Sequence, residues 1–169
     1  MNKILNKTEL CKRLMKLEWM FFDVDGVLTD GSLYYGKNGE DFKVFNSLDG
    51  HGIKQLFLIG VRVGIISGRD HPGTRYRAKE LGIDTIMVNI SNKLETFSNW
   101  TKEKKINPKN CGHMGDDIAD LDLLNNIGFS ASVPNAIQEV KNSVHYISEL
   151  HGGKGAVREV CDLILEHHE

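Results

Sequence analysis

At 169 residues, with 40% hydrophobic and 26% charged side chains and a formal net charge of -2, the chain suits one folded unit that buries roughly two-thirds of the surface its unfolded form exposes. That balance gives no global attraction to nucleic acid or to an anionic membrane, so an anionic ligand must be met by a few placed Lys and Arg side chains or by a metal ion. Cys11, Cys111 and Cys161 are odd in number and form no CxxC pair, which argues against a disulfide framework or a zinc site and for a reduced, cytoplasmic setting.

In chain order, residues 1–17 read as an N-terminal extension. Lys3, Lys7, Lys12 and Arg13 interrupt its apolar stretches, so neither a signal peptide nor a membrane span is expected there. A short helix begun by Thr8 would put Leu10, Leu14 and Leu17 on one side. An apolar strand over 19–22 runs into Asp23. A hairpin follows within 31–46, its arms at 32–35 and 41–45 around Gly36-Lys37-Asn38-Gly39. Helices are then expected over about 50–59, 73–81, 92–104 and 117–125, alternating with strands over 61–66, 85–88, 111–114 and 129–131. Gly152-Gly153-Lys154-Gly155, within a tail segment at 151–158, reads as a flexible element before a last helix over 157–165. The closing His167, His168 and Glu169 read as a polar terminus rather than a metal site. The alternation predicts an α/β, Rossmann-like three-layer fold with a parallel sheet, a hairpin protruding after the first strand, and no large cap domain.

Acidic and small polar residues gather where the predicted strands end: Asp23 and Asp25 after the first, Ser67 and Gly68 after the second, Asp116 and Asp117 after the fourth, with Asp120 one helical turn on. A parallel sheet brings those ends together. Carboxylates sharing one pocket repel by about 4 kcal/mol per pair at short range, which calls for a cation, and an all-oxygen ligand set points to Mg²⁺. The expected metal set is Asp23, Asp25 and Asp116. Asp23 would attack phosphorus, Asp25 would give and take the proton, and Ser67 with Lys93 would hold the transferring phosphoryl group. Each residue also has a structural reading: Asp as a cap or turn residue, Ser67 as a turn, Lys93 as an exposed helical lysine, and Gly50 and Gly52 as a plain loop-to-helix transition. His51, His71, His113 and His151 read as surface or loop residues.

These residues resemble the motifs of the haloacid dehalogenase superfamily: Asp23-Val-Asp-Gly-Val-Leu-Thr-Asp30, Ser67 in Ile-Ile-Ser-Gly-Arg, Lys93, and Gly115-Asp-Asp-Ile-Ala-Asp120, in the required order. Within it the chain is similar to the 3-deoxy-D-manno-octulosonate 8-phosphate phosphatase family, through the hairpin, the stretch Phe45-Asn-Ser-Leu-Asp-Gly-His-Gly-Ile53 and the tail Gly152-Gly-Lys-Gly-Ala-Val-Arg-Glu159. The resemblance implies a Mg²⁺-dependent phosphatase of lipopolysaccharide biosynthesis acting through an aspartyl-phosphate. It also implies a homotetramer built on a central barrel of hairpins, with the tail of one subunit reaching a neighbour's site. Asp49, Gly50, Gly52, Gly68, Arg69, Arg75 and Arg158 are the expected contacts to a small sugar acid phosphate. Leu48, Val88 and Asn89 depart from the family pattern of Arg and Gln-Gly, which keeps nine-carbon sugar acid phosphates open as substrates. A non-catalytic scaffold partner of a sugar nucleotide-forming enzyme is the rival from another class. It would not need both Asp23 and Asp25.

Overall fold

A computed structural model of the chain describes residues 3–168. In chain order it contains α1 (Lys7–Leu14), β1 (Trp19–Phe22), the hairpin strands β2 (Tyr34–Gly36) and β3 (Gly39–Phe42), α2 (Ser47–Leu58), β4 (Arg62–Ile66), α3 (Pro72–Leu81) and β5 (Thr85–Met87). The second half adds α4 (Lys93–Lys104), β6 (Cys111–Met114), α5 (Ile118–Asn126), β7 (Phe129–Ser132), α6 (Gln138–Lys141), β8 (Tyr146–Ile147) and α7 (Ala156–His167).

The main sheet has the order β5-β4-β1-β6-β7-β8, and every pairing in it is parallel. The chain leaves β1 for β4 and β5 on one side, then crosses to β6, β7 and β8 on the other. The strand order therefore reverses at β1, and the crevice above its carboxyl end is where such sheets bind ligands. Alternation along β1 divides the core. Met20 and Phe22 face a large cluster shared with Leu14, Ile53, Leu56, Val157, Val160 and Ile164. Trp19 and Phe21 face a smaller one with Phe97, Leu123 and Ile127. Trp100 stacks edge-on against Trp19 and Phe21 at 4.8 and 5.1 Å between centroids, closing the second layer.

Local side chains set the helix starts. Asn46 accepts the Leu48 N–H at 2.8 Å, so α2 begins at Ser47 and not near residue 50 as the glycines there suggest. Asn6, not Thr8, caps α1, accepting the Glu9 N–H at 3.0 Å. Leu10 and Leu14 are buried as expected, while Leu17 is buried from beyond the helix end. The hairpin arms are shorter than expected, closing on the two-residue turn Lys37-Asn38, with Gly39 at φ 113°. Two short elements, α6 and β8, have no clear period in the sequence and were not expected.

The Gly-rich stretch is the largest correction. It is not a free tail: the Gly153 N–H donates to Val27 O at 2.9 Å, and the Gly152 N–H to Asn135 Oδ1 at 3.0 Å. A Cβ at Gly152 would lie 1.8 Å from the carbonyl oxygen of Gly26, so only glycine lets this segment seat on the turn after Asp23.

Candidate active site

Asp23 leaves β1 in extended conformation, its carboxylate accepting the Val24 N–H at 2.7 Å. The chain then makes one wide turn over Val24–Leu28, closed by the Thr29 N–H on Val24 O at 2.9 Å. Gly26 passes through it at φ 85°. This turn exists to make room: a Cβ on Gly26 would stand 1.9 Å from Asp116 Oδ2, so the Asp116 carboxylate lies directly on the glycine backbone. Gly115 does the same for Asp120, whose Cγ would be 2.3 Å from a Cβ there. Asp117 caps α5, and Asp120 completes the capping box at N3, which turns Asp120 inward.

The result is a cluster of Asp23, Asp116 and Asp120 with ligand oxygens all within 4.8 Å of one another. Lys93, the first residue of α4, reaches into it with 2% of its side chain exposed. Its Nζ donates to Asp23 Oδ2 at 2.6 Å and to Asp120 Oδ1 at 2.7 Å. Buried His113 donates from Nε2 to the same Asp120 oxygen at 2.6 Å.

The cluster is short of positive charge. Burial, then the neighbouring Asp120, pushes the Asp23 carboxyl up to about 6 despite Lys93. Burial, then Asp23, Asp120 and Asp117, pushes Asp116 up to about 7. Burial also works to raise Asp120, but the hydrogen bond and charge of His113, with Lys93, overcome it and hold that carboxyl well below the usual range. Among the described residues no cationic side chain is bonded to Asp116, and a hard divalent cation bound there would satisfy the oxygen donors that Lys93 leaves unpaired. The donor set therefore fits Mg²⁺.

The other expected site residues divide. Ser67 and Gly68 follow β4 at the crevice, Ser67 buried with its N–H on Met87 O at 2.9 Å. Arg69 lies at the mouth, its Nη2 on Glu40 Oε2 at 2.6 Å and on the Tyr35 hydroxyl at 3.3 Å. The Asp25 side chain is not in the carboxylate cluster. It pairs with Lys43 and lies 3.6 Å from Arg69 Nε, so the third carboxylate is Asp120.

Asp49, Gly50, Gly52, Arg75 and Arg158 have other partners within the chain. With α2 starting a turn early, Asp49 faces inward and accepts the Arg158 N–H at 2.8 Å, capping α7, which has no cap of its own. Gly52 sits in the α2–α7 seam, where a Cβ would meet Arg158 and Cys161, and Gly50 accommodates Arg77. Arg158 Nε grips Asp162, and exposed Arg75 grips Asp70 from α3. His71, expected as a surface or loop residue, lies in the loop before α3 and caps it through Nδ1, whereas His113 is fully buried in β6. Lys43, Glu40 and His113 were missed. Charged residues on a hairpin and a lone His in a strand carry no signal of a shared site.

A parallel sheet that delivers an Asp-x-Asp from its central strand to buried carboxylates and a buried lysine defines a haloacid dehalogenase-like hydrolase, and the family of that description matches residues 85–160. The 3-deoxy-D-manno-octulosonate 8-phosphate phosphatase of Salmonella typhi is 38% identical over 158 residues, covering 94% of this chain and 84% of that one. The crystal structure of the Moraxella catarrhalis 3-deoxy-D-manno-octulosonate 8-phosphate phosphatase, in complex with magnesium ion, phosphate ion and KDO, superposes with a TM-score of 0.93 at 37% identity, covering 96% and 94% of the two chains. A cobalt-bound Haemophilus influenzae structure gives 0.88 at 39% identity over 92% and 91%. The chain belongs to the 3-deoxy-D-manno-octulosonate 8-phosphate phosphatase family of haloacid dehalogenase-like hydrolases. No helix among the described residues is long and apolar enough to cross a membrane.

Proposed function

We propose that this chain hydrolyses 3-deoxy-D-manno-octulosonate 8-phosphate to the sugar acid and inorganic phosphate, with Mg²⁺ as its metal. The observation that carries this is the convergence of Asp23, Asp116 and Asp120 at the sheet's switch point, with Lys93 bonded to the first and the last, in a chain of this family. Asp23 and Asp116 would hold the ion. Asp120, its Oδ1 already taken by Lys93 and His113, adds negative charge behind them. Bound Mg²⁺ would neutralise charge on the phosphoryl oxygens and let a carboxylate approach them. Lys93 orients Asp23 and faces the same oxygens. Asp23 attacks phosphorus to give the aspartyl-phosphate, while Asp25 protonates the leaving sugar oxygen. Asp25 then takes a proton from the water that cleaves this intermediate, and Ser67 Oγ–H with the Gly68 N–H donates to the phosphoryl oxygens.

We place the protein in the cytoplasm as one catalytic unit from residue 1 to 169, the hairpin at 31–46 serving assembly. Tyr34, Tyr35, Phe42 and Val44 expose between 37% and 65% of their surface on that hairpin, which supports a tetramer in which hairpins bury one another. Arg69 is the remaining candidate for the sugar carboxylate, needing only to loosen from Glu40.

The test is a steady-state comparison of eight- and nine-carbon sugar acid phosphates with hexose phosphates, with and without EDTA. The expected result is a kcat/KM for the eight-carbon substrate at least about tenfold above the others, lost on chelation. A hexose phosphate or nucleotide as best substrate would refute the substrate assignment, and no turnover of any ester would favour the scaffold reading.

A further inference from the structure

Asp25 stands at the root of a charge network that comes from the hairpin and not from the sheet. Lys43 Nζ bonds Asp25 Oδ1 and, at 2.8 Å, Glu40 Oε1. Glu40 Oε2 holds Arg69 Nη2 at 2.6 Å, and Arg69 Nε returns to Asp25 Oδ2 at 3.6 Å, closing a ring of four charges. The Lys43 side chain is 2% exposed and that of Glu40 8%. Asp25 is 22% and Arg69 41% exposed, so the ring opens to solvent on the Arg69 side, while Lys43 and Glu40 are withdrawn far enough that their charges are held by pairing.

The ring is also anchored from outside. His71 Nδ1 accepts the Gly73 N–H at 3.0 Å to cap α3, which leaves Nε2 as the protonated nitrogen facing the Glu40 carbonyl at 3.3 Å. The hairpin arm that carries Glu40 in β3 and Lys43 just beyond it is thereby fixed to α3, and through the ring to the carboxyl of Asp25.

We propose that Glu40 and Lys43 are positioning residues for Asp25, so that the hairpin belongs to the catalytic assembly as well as to any subunit contact. This rests on the phosphatase reading of the site. In the first step the Asp23 oxygen bonds phosphorus as the bond to the leaving oxygen breaks, and that oxygen takes its proton from Asp25. The carboxylate left on Asp25 has Lys43 and Arg69 in place to receive it. In the second step Asp25 takes a proton from the attacking water, the Asp23–phosphorus bond breaks, and ester plus water have become alcohol plus phosphate. Glu40 divides Lys43 between two carboxylates and holds Arg69 back, which keeps the Asp25 carboxyl aimed at the leaving oxygen.

The test exploits leaving groups that differ in their need for a proton. kcat/KM is measured for a series of substituted phenyl phosphates, from p-nitrophenyl phosphate to phenyl phosphate, none of which has a carboxylate for Arg69 to bind. In Glu40→Gln and Lys43→Met, phenyl phosphate should lose at least about tenfold more than p-nitrophenyl phosphate, steepening the leaving-group dependence toward that of Asp25→Asn. Lys43→Arg, which keeps the cation, should restore the parent dependence. Equal losses across the series, or no loss, would overturn the positioning role while leaving the phosphatase reading intact. A parent protein that hydrolyses no phosphate ester would sink both. Glu40→Gln keeps the side-chain volume, so it decides the matter if Lys43→Met does not fold.

Discussion

Asp23→Asn loses at least about 10⁴-fold in kcat, roughly 5 kcal/mol of transition-state stabilisation, while folding as well as the parent chain. The loss follows from geometry: the amide keeps the shape of the side chain and its bond to the Val24 N–H, but has no charge with which to attack phosphorus. Retention of the fold follows from electrostatics. The folded state raises the Asp23 pKa to about 6, so it binds this proton more tightly than the unfolded chain does. A raised carboxyl pKa means that stability declines as pH rises from the ordinary value through 6, and at pH 7 the ionised Asp23 is a net burden. The neutral amide removes that burden but loses the Lys93 bond to Oδ2, and Lys93 keeps Asp120 as its partner. Without metal, these two effects oppose each other, and the variant should melt within a few degrees of the parent. With Mg²⁺, the parent should gain more in melting temperature than the variant, because ligand-linked stabilisation scales with affinity. A folded variant with near-parent turnover would move the nucleophile elsewhere.

Gly26→Ala has the second largest expected effect, and Gly60→Ala supplies its control. Both glycines have nearly the same backbone, φ 85° and φ 83°, so the left-handed conformation costs each alanine about 1–2 kcal/mol, a fall of several degrees in melting temperature for a chain of this size. Their surroundings differ. Nothing lies within 4 Å of a Cβ on Gly60, whereas a Cβ on Gly26 would overlap the Asp116 carboxylate and force it out of the cluster. Activity should therefore fall at least about 100-fold in Gly26→Ala and by less than about twofold in Gly60→Ala, with a weakened Mg²⁺ dependence only in the former. Equal activity in the two variants would mean that Asp116 does not need its seat on the turn.

What the sequence disclosed follows from which physical signals are local. Buried parallel strands read as short apolar runs, so the strand ends at Asp23, Ser67 and Asp116 were legible, and with them the crevice. The starts of α3, α4 and α5 were legible to within a residue, whereas at α2 the two glycines at 50 and 52 masked the Asn46 cap. With α2 starting at Ser47, Asp49, Gly50 and Gly52, which the resemblance gave as substrate contacts, also carry packing roles within the chain, against α7 and Arg77. The exchange of Asp25 for Asp120 in the carboxylate cluster has a similar origin. Asp117-x-x-Asp120 reads as a helix cap, and in the structure it is one, but the same box aims Asp120 at Lys93. The hairpin's role was out of reach, because the ring of Asp25, Glu40, Lys43 and Arg69 closes only through a tertiary approach.

The proposed role of Asp23 as the group that takes the phosphoryl has a direct chemical test. Enzyme mixed with substrate and Mg²⁺, quenched during turnover and reduced with borohydride, converts an aspartyl-phosphate into homoserine at the attacked residue. Peptide mass analysis should find homoserine at position 23, and only when substrate and metal are both present. Homoserine at another carboxylate, or none during demonstrable turnover, would contradict it.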